Sequence, residues 1–373
     1  MEISRSPLIK LLTPRLNNMG GVANFYRVMQ GYLGPQYEYL FRGSGRKEEL
    51  KLFIPWRLCK DYRLFCKKMN DETMVVVINS SLGVGGFFRD GLYCLLTPNR
   101  VRNVVFFRGW NSGFEKKIDD VLGMKAWFNR TFLTADHIIV LSSRFKKKLR
   151  QWGYTGPVSL GTTIVDEQLL ENVTFQSLSQ GRTKNLKNTI LYLGNISKAK
   201  GVIEVIQAYQ LLCGPNGLEN LQCVIAGHGN MLSELKEKID SQSLGIRFPG
   251  YVREKQKVAT FKNANIYVFP SAHGEGMPNS VLEAMAFGLP VLTTRVGGVP
   301  DFFEEGKMGL FLDTRDPEHI AEKIRYLLDR PELMRQMSEY NYHYAKEHFY
   351  ASKVAERFKN LVESVGKFNA RKY

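Results

Sequence analysis

Phe269-Pro-Ser-Ala-His273-Gly-Glu275-Gly276-Met277-Pro278-Asn279-Ser280-Val-Leu-Glu283-Ala-Met-Ala-Phe-Gly288-Leu-Pro290 is the stretch from which the rest of the chain can be read. The apolar run leading into it, residues 264–269, has the pattern of a buried parallel strand. A short glycine-rich loop follows, and residues 278–287 read as a helix. Pro278 suits a first turn, where a missing N–H costs nothing. Gly288 stands where a left-handed cap belongs, and Pro290 forbids continuation. Strand, glycine loop and helix start together present free backbone N–H groups and the positive end of a helix dipole to an anion. Glu275 on the loop and Glu283 on the helix frame that place with two carboxylates. A carboxylate accepts hydrogen bonds from paired hydroxyls such as those of a ribose or hexose. Phosphate and diol recognition side by side point to a sugar nucleotide.

Outward from this stretch the same unit repeats. Residues 189–193 form an apolar strand, followed by Gly194-Asn195-Ile-Ser-Lys198-Ala-Lys200-Gly201 and a helix over 202–212. Residues 221–226 and 290–294 are further strands. In the first half, a strand over 8–12 leads to the pair Gly20-Gly21 and a helix over 22–33. That is a second glycine loop able to offer N–H groups to an anion. Residues 73–79, 101–107 and 136–141 are strands, each followed by a helical pattern. Repeated strand–helix units of this kind build doubly wound parallel sheets, so the fold class is α/β. Arg108-Gly-Trp-Asn111 stands at the C-terminal end of its strand, where open α/β sheets bind ligands. Arg108 is therefore either a cleft charge or a surface residue.

A chain of 373 residues supports two domains. The first is expected over 1–170, a polar linker over 171–188, the second domain over 189–345, and a terminal helix over 346–373. No apolar run approaches the roughly 20 residues that span a bilayer, and residues 1–12 lack a signal-peptide core. A cytoplasmic protein is expected. The five cysteines form no close pairs and read as reduced thiols; the six histidines show no metal-ligand spacing, so no metal site and no cofactor are expected. The net charge of +16 is lopsided: residues 1–150 hold 26 Lys and Arg against 12 Asp and Glu, and the remainder 26 against 24. The first half is thus matched to an acidic partner, either nucleic acid or an anionic membrane surface.

The composite of strand, HGEGMPN loop and Glu-bearing helix resembles the Glu-x7-Glu motif of the retaining, nucleotide-sugar-dependent glycosyltransferases of family 4, the group 1 transferases. The resemblance implies the GT-B arrangement, two Rossmann-like domains facing across a cleft. The first domain binds the acceptor, the second binds the donor, and the last helix packs back on the first. It implies that Glu275 and Lys200 act on the transferring sugar and the diphosphate, and that Glu283 holds the donor ribose. Gly20 and Gly21 approach the donor phosphate, and the segment ending in Val252-Arg253 holds the base. Gly276, Met277, Pro278, Asn279 and Ser280 complete the donor loop. Asn195 stands where the family has an arginine, and Lys198 is the candidate to replace it. The family's histidine near Arg108 has no counterpart here. Retention needs no protein nucleophile, because the departing phosphate can take the acceptor proton on the same face.

Two segments interleave basic and aromatic residues: 56–69, and the helix with Arg144, Lys146, Lys147, Lys148, Arg150 and Trp152. Each is either an interfacial face for anionic lipid or a helix packed on its sheet. The membrane reading implies a lipid-linked or glycan acceptor and a peripheral enzyme of cell-surface polysaccharide or glycolipid synthesis. The alternatives are a sugar-nucleotide 2-epimerase on the same architecture and, from charge alone, a non-catalytic nucleic-acid binder. No zinc, RNP or helix-turn-helix signature supports the second. The base, sugar, acceptor and oligomeric state are not encoded in any readable motif.

Overall fold

Val75, Val76, Val77 and Ile78 are wholly buried, as a continuous apolar run must be in a strand covered on both faces. The computed structural model describes residues 8–18, 20–43, 51–184, 187–214, 217–240, 245–272 and 274–367. His273 of the motif, Asn185 and Leu186 of the expected linker, residues 44–50, residues 1–7 and residues 368–373 lie outside the described residues.

In chain order the first elements are β1 (Leu8–Pro14), α1 (Gly21–Met29), β2 (Tyr37–Arg42), α2 (Ile54–Lys68), β3 (Thr73–Leu82), α3 (Val84–Leu96), β4 (Arg102–Trp110), α4 (Ser112–Asp120), α5 (Leu122–Thr131), β5 (His137–Val140), α6 (Ser143–Gln151) and β6 (Val158–Leu160). Their strands form one parallel sheet in the order β2-β1-β3-β4-β5-β6. One face is covered by α2 to α6: Phe65, Phe87, Phe114, Phe128, Phe145 and Leu149 join Val76, Ile78, Val105, Phe107 and Val140 in a single apolar cluster. The other face carries α1, whose Phe25 ring meets Phe106 at 6.1 Å.

The later elements are α7 (Phe175–Lys184), β7 (Asn188–Leu193), α8 (Val202–Leu212), β8 (Leu221–Ala226), α9 (Leu232–Asp240), β9 (Ile246–Gly250), α10 (Glu254–Lys262), β10 (Ile266–Phe269), α11 (Asn279–Ala286), β11 (Val291–Thr293), β12 (Gly309–Phe311), α12 (Pro317–Leu328), α13 (Pro331–His348) and α14 (Ala351–Lys367). The second sheet is also parallel, ordered β12-β11-β10-β7-β8-β9. Strand order reverses between β7 and β10, and between β1 and β3 in the first sheet. Ligands of open α/β sheets bind at such switch points, outside the strand C-termini.

The chain divides into two compact units. One holds Met1–Thr163, Gly274–Met277 and Ala351–Tyr373; the other holds Ile164–His273 and Pro278–Tyr350. The helix α14 packs against α1 and β3 of the first unit, and its Phe358 ring lies 6.4 Å from that of Phe25. The polar stretch 171–188, read from composition as a linker, falls in the second unit and carries α7. Its order comes from Arg182. One guanidinium nitrogen donates to the carbonyl of Gly288 (2.8 Å) and to Ser338 Oγ (3.1 Å), the other to the carbonyl of Phe287 (2.6 Å). These carbonyls close α11, so Arg182 satisfies acceptors that a helix end leaves open. Burial pushes the Arg182 guanidinium down to about 9. Gly288 itself has φ +60°, the left-handed cap its position called for.

Candidate active site

The loops that follow β7 and β10 are tied together at the second switch point. After β7, Lys198–Lys200 forms a single 3-10 turn ending at Gly201, which has φ +77°. A Cβ on Gly201 would lie 2.4 Å from the Pro270 carbonyl oxygen, so only glycine fits this left-handed close approach. The Ala272 amide donates to the Ala199 carbonyl at 2.9 Å, which latches the lysine turn to the loop after β10. From the other side, Arg315 donates to the Lys198 carbonyl at 2.9 Å and is itself ion-paired with Glu204. Lys198 is exposed and Lys200 half-buried. Asn195, in place of an arginine, is exposed and contributes no charge there.

Tyr267 on β10 fixes the opposite wall. Its hydroxyl donates to the Leu193 carbonyl at the end of β7 (2.9 Å) and lies 2.7 Å from Ser280 Oγ at the start of α11. Pro278 is the cap residue of α11, and no side chain caps the first-turn N–H groups. An uncapped helix start beside a lysine turn is an anion-binding arrangement. Glu283, one turn further along α11, is only 8% exposed. Its carboxylate Oε1 is ion-paired with Lys257 Nζ on α10. Sequence reading missed Lys257 because it sits among other polar residues of a surface helix, and only the packing of α10 beside α11 brings it to Glu283. A carboxylate has about four acceptor positions, so the pair leaves capacity for a diol.

The nucleobase candidates lie after β9: Val252 is buried, and the exposed Arg253 stacks on Tyr251 with its guanidinium carbon 4.7 Å from the ring centroid. Glu275 is half-buried, and with Gly276 and Met277 it lies in the short stretch grouped with the first unit. Gly20 and Gly21 lie at the start of α1, also on the first unit; Gly20 is its cap residue, again with no side-chain cap. Among the described residues, no group of three or more His, Cys, Asp or Glu side chains converges as a metal site would need.

Two expectations need correction. Arg108 is not a surface charge: it is 9% exposed, with its guanidinium carbon 3.9 Å from the Phe25 ring centroid and 4.4 Å from that of Phe106. Nor is Trp152 available to a membrane. It is buried with Phe145 and Leu149, stacks on Trp110 at 5.7 Å and donates its indole N–H to Asp119 at 2.7 Å. The apolar stripe of α6 belongs to the core, because α6 must cover β5 and β6. Lys146, Lys147 and Arg150 remain exposed on its outer side, whereas Lys148 is half-buried and ion-paired with Asp119 at 2.7 Å. Exposed aromatic surface occurs instead at the start of α2. Leu52, Phe53 and Trp56 are 84, 52 and 67% exposed, and Lys60 Nζ stands 5.6 Å from the Trp56 ring centroid.

Residues 176–344 match the family described as glycosyl transferases group 1. An uncharacterised glycosyltransferase of Methanocaldococcus jannaschii is 26% identical over 235 residues, covering 62% of this chain and 59% of the relative. The capsular polysaccharide biosynthesis glycosyltransferase CapM of Staphylococcus aureus is 29% identical over 166 residues, 44% of this chain and 42% of that protein. The matched stretches thus span about half the length of these curated relatives. Among solved structures, sucrose-phosphate synthase of Thermosynechococcus elongatus aligns with a TM-score of 0.75 at 17% identity, covering 96% of this chain and 99% of that one. The fold is GT-B, with two Rossmann-like units.

Proposed function

We propose that the protein is a retaining glycosyltransferase that moves a hexose from a nucleotide diphosphate sugar to a hydroxyl of a glycan or lipid-linked acceptor, in the synthesis of cell-surface polysaccharide or glycolipid. The observation that carries this reading is the joint at the β7/β10 switch point. There the Lys198–Lys200 turn is latched to the loop after β10, beside the uncapped start of α11 and the carboxylate of Glu283. In this reading Lys200, with Lys198, neutralises the diphosphate, aided by the N–H groups from Pro278 to Ser280. Glu283 accepts from the ribose hydroxyls. Glu275, with Gly276 and Met277, addresses the transferred sugar. The segment to Val252 and Arg253 holds the base, and Gly20 and Gly21 approach the phosphate. The bond from the anomeric carbon to the diphosphate oxygen breaks while a bond to the acceptor oxygen forms on the same face. The acceptor proton passes to the departing phosphate, and the protein's task is to stabilise the charge left there.

The reading takes no divalent metal and places the enzyme at the cytoplasmic face of a membrane. Among the described residues no helix is long and apolar enough to cross a bilayer, so contact would be peripheral. The exposed Leu52, Phe53 and Trp56, with Lys60, Arg63, Lys67 and Lys68 exposed along α2, are the surface suited to it.

The deciding experiment offers the purified protein a panel of UDP-, GDP- and ADP-sugars. Expected is a raised Tm with one donor class, followed by release of free nucleotide only when an acceptor is added. A new sugar nucleotide formed without acceptor would replace this reading with the epimerase, and no donor response at all would defeat both.

A further inference from the structure

The turn that carries Lys198 and Lys200 is a single 3-10 turn. The Lys200 amide donates to the Ser197 carbonyl at 3.0 Å and the Gly201 amide to the Lys198 carbonyl at 3.3 Å. So short a turn needs contacts from outside to keep one geometry. One is the latch from Ala272 to Ala199. The other is Arg315, whose Nη2 donates both to the Lys198 carbonyl at 2.9 Å and to Glu204 Oε1 in the first turn of α8.

Arg315 is itself fixed in place. On one side of it, the Thr314 hydroxyl accepts from the Asp316 amide at 3.1 Å. On the other, the Asp316 carboxylate caps α12 by accepting from the Glu318 amide at 3.0 Å. The helix α12 packs against α8, so the arginine, its carboxylate and the turn are all carried by two packed helices.

The pairing is not the one that stability alone would select. A guanidinium and a carboxylate bind most strongly as a fork, two nitrogens to two oxygens. Here Nη2 serves both the carboxylate and the carbonyl, while Arg315 Nε and Glu204 Oε2 are buried without a hydrogen-bond partner. Buried polar atoms left unbonded cost stability. The arrangement gives up the fork to reach the backbone of the lysine turn. It also sets a positive charge against Glu204, four residues past Lys200, whose carboxylate would otherwise oppose an anion bound at that turn.

We propose that Arg315 is a positioning residue for the donor. Through the Lys198 carbonyl it holds the turn in the geometry that lets Lys200 meet the diphosphate, with Glu204 as its anchor. This rests on the transferase reading and adds to it a residue that does not touch the donor.

The test is a double-mutant cycle on nucleoside diphosphate affinity, read by calorimetric titration with UDP, GDP and ADP. Expected is a loss of fivefold or more on Arg315→Met in the parent, and of less than twofold in a Lys200→Ala background, because a displaced turn costs nothing once its lysine is gone. Arg315→Lys keeps the charge on a shorter reach and should recover part of the loss. An arginine that serves stability alone predicts a lower Tm with unchanged affinity, or the same loss in both backgrounds, and either result overturns the proposal. Full recovery of affinity when Glu204→Gln is added to Arg315→Met would make the effect one of charge and overturn it as well. Should Arg315→Met not fold, Arg315→Lys carries the cycle, and parental affinity or an equal loss in both backgrounds overturns the proposal. A parent that binds none of the three nucleotides defeats the transferase reading and the proposal together. A parent that binds, with affinity lost in Lys200→Ala but not in Arg315→Met, defeats the proposal alone.

Discussion

Glu283 and Lys257 show how two side chains divide one task. The carboxylate sits 8% exposed on α11, and the ammonium on α10 is its counter-charge. Glu283→Ala should weaken donor binding by about 1.5–3 kcal/mol, the scale of a hydrogen bond to a charged group, as read by calorimetric titration. Lys257→Met leaves the carboxylate without its donor and should destabilise the fold by about 1–3 kcal/mol in urea unfolding. Glu283→Gln in the same protein should recover part of that loss, since residues in contact couple by about 0.5–3 kcal/mol in a double-mutant cycle. Strict additivity of the two changes would mean that the pair is only a surface contact. Lys200→Ala should lower turnover with the fold intact, and a normal rate in the purified variant would remove it from the mechanism.

Elements are positioned by contacts that cross the sequence. The end of α11 is closed by Arg182 from a helix about a hundred residues earlier, so the Glu-bearing helix is held at its C-terminus by α7 and at its start by Tyr267. Arg182→Ala exposes no new surface charge but removes the side-chain donor from the Phe287 carbonyl and leaves the Gly288 carbonyl with Ser338 alone. A loss of about 1–3 kcal/mol and a lower Tm are expected, and an unchanged melting curve would show that water replaces the guanidinium without cost. On the first unit, α6 and α2 look alike in composition yet differ in role. Phe145, Leu149 and Trp152 are core, whereas Trp56 and Phe53 face solvent.

At the scale of the whole molecule, that difference sets where a membrane would be met. With 26 Lys and Arg in residues 1–150, the protein is expected to sediment with anionic vesicles at low salt, to ignore neutral ones and to be released by salt. Each basic residue near such a surface contributes on the order of 1 kcal/mol. Trp56→Ser combined with Lys60→Glu and Lys67→Glu should abolish sedimentation and leave donor binding untouched, and Lys146→Glu with Lys147→Glu should only weaken it. Wild-type protein that stays in the supernatant with anionic vesicles would turn the proposal toward a soluble acceptor. Transfer is further expected to survive EDTA, and activity recovered only on adding magnesium or manganese would contradict it.

By itself the sequence determined the local matters. The VVVI run of β3, the glycine at the end of α11, the turn before Gly201 and the spacing of Glu275 and Glu283 all follow from side-chain period, backbone φ and helix-end chemistry, which act over a few residues. It also determined the α/β class, because strand and helix patterns alternate along the chain. Only the tertiary structure decided the rest. β2 at the sheet edge buries just some of its side chains, so its pattern was too weak to read. The helix at 175–184 has a polar composition, and it is held by distant carbonyls that Arg182 reaches. Lys257 acquires meaning from the neighbour it faces, and Arg108 from the rings of Phe25 and Phe106 that cover it. Trp152 and Trp56 stand in similar basic, amphipathic stretches, and no local rule tells which will be covered. That depends on where the sheet lies, because burial is a property of packing rather than of the residue.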